Sequence, residues 1–187
     1  MIVNIRGTSG TGKSTLVRTA LEMLRPFVTE HHIPGRRQPY YYTAERPGRA
    51  SIAVVGGYAC ECGGCDTIKT RPETFELIRR LHVDGHHVVF EGLLLSQESN
   101  YIIGLHRDGL PVTAIDIELP LDVCIGAVNE RRRRKNPAAP PVNPKGTTDK
   151  YRQGKNARAK MVAAGMSVVL VTSREAAWDA LKELLGL

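Results

Sequence analysis

The sequence predicts an α/β fold, a five-stranded parallel sheet with helices on both faces, and three observations lead there. Five short apolar runs rich in β-branched residues, at 2–5, 51–55, 87–90, 112–117 and 167–171, read as buried strands. Helical patterns at 14–24, 71–83, 98–108, 121–134, 148–164 and 174–185 alternate with them, as right-handed crossovers between parallel strands require. A glycine-rich turn of the form G-x-x-x-x-G-K-S separates the first strand from the first helix. The 187 residues, 42% of them hydrophobic, suffice for one domain with a full core, spanning 1–187.

The first strand runs into Gly7, Thr8, Ser9, Gly10, Thr11, Gly12, Lys13, Ser14 and Thr15. Glycines let this backbone curl so that successive N–H groups point into one concavity that attracts anionic oxygens. The helix that follows adds the partial positive charge of its N-terminus. Gly7 to Thr15 are therefore the candidate nucleotide-binding residues. Lys13 reaches the β- and γ-phosphates and the Ser14 hydroxyl ligates Mg²⁺.

Residues 26–50 break the alternation. They hold Pro26, Pro34, Pro39 and Pro47 and the triplet Tyr40, Tyr41 and Tyr42, which predicts a loop or small hairpin, an excursion on the substrate side. The tyrosines suit either stacking on an extruded base or ordinary hairpin packing.

After the second predicted strand comes a glycine-rich loop from Gly57 to Thr67 that contains Asp66 and the pattern C-x-C-x-x-C at Cys60, Cys62 and Cys65. In this fold class ligands sit at the carboxyl ends of the strands, so Asp66 is placed to orient and deprotonate an attacking hydroxyl. It equally suits the end of a turn. Three thiolates raise zinc, with His82, His86 or His87 as a fourth ligand. The second paired half usual in structural zinc sites is missing, so small reduced thiols are expected.

The third strand ends at Glu91-Gly92. A carboxylate there can hold Mg²⁺, partly through water, or accept the substrate's proton; Glu91 is assigned to the metal and Asp66 to the proton, and the two roles are exchangeable. The helix at 121–134 ends in Arg131, Arg132, Arg133 and Arg134. Arginines three apart share a helix face, so Arg131 and Arg134 are the candidates to clamp the transferring phosphoryl, with Arg131 also counted among the nucleotide contacts. Four prolines make 136–147 a non-helical flap. At the last strand's end, Thr172-Ser173-Arg174 is a further candidate contact for the nucleotide base, and Ser173 equally suits a helix cap.

Charge is concentrated locally. Residues 131–160 carry eleven Lys and Arg against the single acid Asp149, in a chain whose overall net charge is only +7. That surplus exceeds what one triphosphate needs and points to a polyanionic partner such as DNA, tracked by a basic lid region. No apolar stretch reaches the length of a membrane span, and the chain opens directly on strand and glycine-rich loop, so a cytoplasmic protein is expected.

The phosphate-binding motif, the strand ending in Glu-Gly and the arginine-rich helix together resemble the P-loop kinase superfamily, which implies a three-layer sandwich with a basic lid. Phe90-Glu91-Gly92-Leu93 is similar to the Glu-Gly strand of uridine kinases and phosphoribulokinases. Gly7 to Ser14, Gly63-Gly64-Cys65-Asp66-Thr67-Ile68 and Val89 to Ser96 together resemble small phage P-loop kinases, among them the 5-hydroxymethyluracil DNA kinases. The resemblance covers most of the chain, with the phosphate-binding motif its specific part. It implies ATP, Mg²⁺, phage DNA carrying a hydroxymethyl base as acceptor, and the cytoplasm of an infected bacterial host. Two rival expectations are a kinase of free nucleosides or nucleotides and a non-catalytic, nucleotide-gated DNA-binding protein.

Overall fold

Strand β1 (Ile2–Arg6) is buried along its whole length, as a central strand covered on both faces must be. Its side chains alternate: Val3 and Ile5 enter one core and Ile2 the other. In the computed structural model, which describes residues 1–60 and 63–187, the further strands are β2 (Val28–His31), β3 (Tyr41–Ala44), β4 (Ile52–Val55), β5 (His87–Glu91), β6 (Val112–Ile117) and β7 (Ser167–Val171). The helices are α1 (Lys13–Met23), α2 (Arg71–Val83), α3 (Leu93–Gln97), α4 (Asn100–Arg107), α5 (Leu121–Lys135), α6 (Pro144–Ala163) and α7 (Arg174–Leu185).

Among the described residues the strands form one sheet in the order β2-β3-β4-β5-β1-β6-β7. The five expected strands are all present and mutually parallel. The sheet itself is nevertheless seven-stranded and mixed, which corrects the expectation of five parallel strands. Residues 26–50 do not stand off as a separate loop. They fold into the β2–β3 hairpin, which adds antiparallel to β4 with Tyr41 opposite Val55 and Ala44 opposite Ile52. This placement satisfies the open edge of β4 and buries Tyr42 and Ala44.

Helices α1 and α7 cover one face through Leu16, Val17, Ala20, Leu181 and Leu185. Helices α2, α4 and α6 cover the other through Phe75, Ile78, Ile102, Leu105 and Met161. Each fully buried Leu, Ile or Phe contributes about 1.5–3 kcal/mol, so the double-sided cover dominates the stability of the sheet. The far strand β7 is an edge, with Leu170 half exposed. No helix among the described residues is long and apolar enough to cross a membrane.

Three local expectations change. The helix α6 starts at Pro144, earlier than the expected 148, because proline is tolerated in the first turn and Asn143 caps it by accepting from the Lys145 N–H at 3.0 Å. The remaining proline segment is tied back to α5, the Val142 N–H donating to Asn129 Oδ1 at 2.7 Å. The short helix α3 was not expected at all. Its N-terminus is supported by a side chain from a distant loop, described next.

Candidate active site

The Gly7–Gly12 turn lies at the carboxyl end of β1, between the ends of β5 and β6. Gly10 has φ +89°, and a Cβ there would collide with the Cys124 carbonyl, so only glycine fits. Thr11 Oγ1 donates to the Thr8 carbonyl at 3.0 Å and closes the turn. Lys13, 7% exposed, donates from Nζ to the carbonyls of Gly7 and Thr8 at 2.8 and 3.0 Å. Burial lowers its pKa, while Glu91 and Asp66 act in the opposite direction. The ammonium is thus folded over the loop it would share with phosphate oxygens.

Strand β5 pairs with β1 so that Glu91 lies opposite Ile5, one step below the loop. The Ser14 hydroxyl donates to Glu91 Oε1 at 2.7 Å. Glu91 is 2% exposed, and burial raises its pKa against the pull of Lys13 and of the Ser14 hydrogen bond. Gly64 has φ +81° and brings the backbone so close that a Cβ would stand 2.5 Å from Glu91 Oε1. A buried carboxylate beside a hydroxyl is a pair of hard oxygen donors, the chemistry that Mg²⁺ accepts.

Asp66 sits in a 3-10 turn, Cys65–Thr67, on the other side of the same opening. It is exposed, and it accepts from the backbone N–H groups of Leu93 and Leu94 at 2.9 and 3.4 Å. It therefore caps α3 from 27 residues away in sequence. Arg6 steadies the same segment from beneath, donating to the carbonyls of Leu95 at 3.0 Å and Ser96 at 2.6 Å. Burial pulls the Arg6 pKa down to about 10, with Asp116 and Glu98 opposing.

Lys13, Ser14, Asp66, Glu91, Arg131 and Arg134 all border one cleft of about 510 Å³, together with Ser9, Gly10, Gly12 and Thr15. Every catalytic candidate from the sequence reaches this cleft. Gly7, Thr8 and Thr11 shape the loop from behind. Arg18 also lines it and was missed. The available signal was its spacing, one helical turn after Ser14. Its guanidinium donates to the Cys60 carbonyl at 2.8 Å and to Thr15 Oγ1 at 3.4 Å. Arg174 lies over the loop, donating to the carbonyls of Gly10 and Thr11 at 3.2 and 3.4 Å. Ser173 caps α7 by accepting from the Ala176 N–H at 3.0 Å. A smaller, mostly apolar hollow of about 130 Å³ continues past Arg174 to Thr19, Ile117 and Trp178.

Other candidates part from this group. Tyr40 and Tyr42 are buried; the Tyr40 hydroxyl donates to Glu73 at 2.8 Å, and the Tyr41 ring stacks on His31 at 4.2 Å. The triplet is packed into the hairpin. Of the thiols, Cys60 is exposed and Cys65 buried, while Cys62 lies outside the described residues. His87 starts β5 opposite Ile52, at the other end of the strands from the Cys65 loop, so it cannot complete a site there. Among the described residues no three His, Cys, Asp or Glu side chains gather to hold a metal ion.

The basic segment is partly neutralised from within. Arg158 pairs with Asp116 at 3.2 Å and Glu118 at 2.6 Å, Lys155 with Glu118 at 2.9 Å, and Arg152 with Asp149 at 2.6 Å. The Arg158 and Lys155 contacts fasten α6 to the end of β6, and the Arg152 pair lies within α6, whereas Arg132, Arg133 and Lys135 on α5 are exposed. The outward charge is therefore smaller than the sequence count implied.

No family model matches the chain. It is 43% identical over 184 residues to a 5-hmdU DNA kinase of Pseudomonas phage PaMx11, covering 98% of this chain and 96% of that one. It is 28% identical over 197 residues to a 5-hmdU DNA kinase of Pseudomonas phage M6, covering 97% and 94%.

Proposed function

Because the chain belongs to the family of 5-hmdU DNA kinases, it is a kinase, and we propose that this cleft transfers the terminal phosphoryl group of ATP to the 5-hydroxymethyl group of a uracil base in phage DNA. The observation that carries the assignment of residues is the convergence of Lys13, the Ser14–Glu91 pair, Asp66 and Arg131 on one opening. We read the architecture as a P-loop kinase sandwich carrying an antiparallel hairpin, acting in the cytoplasm of the infected host.

In this reading the loop N–H groups and Lys13 hold the β- and γ-phosphates, with the adenine in the hollow beside Arg174 and Trp178. Ser14 and Glu91 are the residues that would hold Mg²⁺, which when bound supplies charge neutralisation between the phosphates. Asp66 accepts the proton of the hydroxymethyl O–H as its oxygen forms the new O–P bond and the bond from the γ-phosphorus to the β,γ-bridging oxygen breaks, releasing ADP. Capping by the α3 amides keeps Asp66 oriented towards the cleft. Arg131 and Arg134 meet the negative charge spread over the transferring group. The exposed arginines of α5 contact the DNA backbone.

The test is transfer from γ-labelled ATP to three acceptors: DNA containing 5-hydroxymethyluracil, the same DNA with thymine, and free nucleosides. Label on the hydroxymethylated DNA alone is the expected result. Label entering only the free nucleosides overturns the proposal.

A further inference from the structure

A second cavity, of about 410 Å³, opens between α1 and the β2–β3 hairpin. Arg18 lines it from α1, Arg25 from the turn after that helix, Val28 and Glu30 from β2, and Tyr42 and Tyr58 from behind. Its size lies at the lower end of small-molecule clefts, which run from ~300 to ~1,000 Å³, and so suits one nucleoside and not a duplex. Arg18 borders both this cavity and the phosphate cleft, so the two spaces share one residue.

Tyr58 gives the second, independent observation. It is 5% exposed, and its hydroxyl is buried with no hydrogen-bond partner among the described residues. Buried hydroxyls are nearly always paired, so the wall of this cavity holds a donor whose partner is still to be supplied. The main chain of Tyr58 is anchored, its N–H donating to the Tyr42 hydroxyl at 3.1 Å. Burial raises the Tyr58 pKa, with the charges of Glu91 and Asp66 adding to the effect, so the phenol remains a donor.

We infer that this cavity is the acceptor pocket, receiving a uracil-type base extruded from DNA with its 5-hydroxymethyl group directed past Arg18 into the phosphate cleft. The inference rests on the kinase reading above. An enzyme that acts on a base within DNA takes the base out of the stack and reads its hydrogen-bonding edge in a pocket. A pyrimidine-2,4-dione offers two carbonyl acceptors and one imide N–H donor. Arg18 brings a donor to the cavity and Glu30 a carboxylate acceptor, and the Tyr58 hydroxyl lies buried in the wall behind them. A cytosine ring would present a lone pair where the imide hydrogen belongs and meet a carboxylate, so the pocket selects the uracil type. The hairpin that widened the sheet thus acquires a role: it supplies the outer wall.

Ala59, exposed at the cavity rim, provides the test. In the full chain, Ala59→Trp should raise KM for a hydroxymethyluracil oligonucleotide by about tenfold or more, with KM for ATP and the melting temperature unchanged. Photocrosslinking to an oligonucleotide carrying 5-iodouracil at the target position should label Tyr42 or Tyr58, and this readout stands even if the tryptophan variant fails to fold. A wild-type KM in the folded variant, or crosslinks confined to residues 131–135, overturns the pocket. If the unmodified protein transfers no label to hydroxymethylated DNA, the kinase reading has failed first, and the pocket assignment falls with it.

Discussion

The hydroxyl of Ser14 stands 2.7 Å from Glu91 Oε1 although 77 residues separate the two. The pairing of β1 with β5 brings them together, since Glu91 ends its strand beside Ile5 just before the phosphate-binding turn. If this pair holds Mg²⁺, the two variants Ser14→Ala and Glu91→Gln each lose phosphoryl transfer by about 10²–10³-fold. They also differ. Ser14→Ala keeps the carboxylate and should regain part of its rate at raised Mg²⁺, whereas Glu91→Gln should not. A Mg²⁺ titration of the labelled-ATP assay, with nucleotide binding measured alongside, checks both outcomes.

The pH dependence of the same residue has two opposite signs. Burial holds the Glu91 pKa above its ordinary value of 4.5 despite Lys13 and Ser14. Between 4.5 and that raised value the folded chain keeps a proton that the unfolded chain has released, so this group's contribution to stability falls as pH rises through the window. Activity moves the other way, because only the carboxylate can serve the metal. Wild-type kcat/KM should therefore rise through a pKa above the usual glutamate range. Over the same interval the melting temperature should fall relative to Glu91→Gln, and melts of both proteins from pH 4.5 upward measure it.

What the sequence revealed and what it hid divide along one physical line. The phosphate-binding turn, the five parallel strands and the carboxylates at two strand ends are readable because each depends on a few adjacent residues. Asp66 was readable as a cleft residue, but its hold on the Leu93 amide spans 27 residues and leaves no local pattern. The same holds for the hairpin, whose pairing with β4 is a tertiary choice, and for Arg18, whose neighbours Cys60 and Thr15 meet only in the fold. Counting charges misled for the same reason. Lys155 and Arg158 look like solvent-facing cations of a basic helix, yet their acids wait in and just after β6, 37 and 42 residues away.

Asp66 carries two duties that substitution can separate. Asparagine keeps an oxygen for the Leu93 N–H but cannot take a proton, so Asp66→Asn should lose about 10²–10⁴-fold in kcat with little change in melting temperature. Alanine removes the cap as well. Asp66→Ala should match that kinetic loss and in addition destabilise the chain by about 1 kcal/mol. Equal melting temperatures for the two variants would remove the capping role. Retained transfer in Asp66→Asn would return the proton to Glu91, the exchange of roles left open from sequence.

The cations of the basic segment should separate into two classes. Arg158 faces Asp116, whose side chain is 6% exposed, so Arg158→Ala removes the hydrogen-bonded cation of a buried carboxylate, leaving it the charge of Arg6, and should cost roughly 3 kcal/mol of stability. Its effect on DNA affinity, measured on the folded fraction, should be small, because its guanidinium already serves Asp116 and Glu118. Arg132→Ala with Arg133→Ala should do the reverse, leaving the melting temperature near that of the wild type. Binding to hydroxymethylated and plain DNA should weaken alike, and the slope of log affinity against log salt should flatten by roughly 0.9 for each phosphate contact removed. Fluorescence anisotropy across a salt series, run beside thermal melts, reads both quantities on the same samples. An unchanged slope would move the DNA backbone away from α5, and a weakened slope in Arg158→Ala would show that the ion pairs with β6 open when DNA arrives.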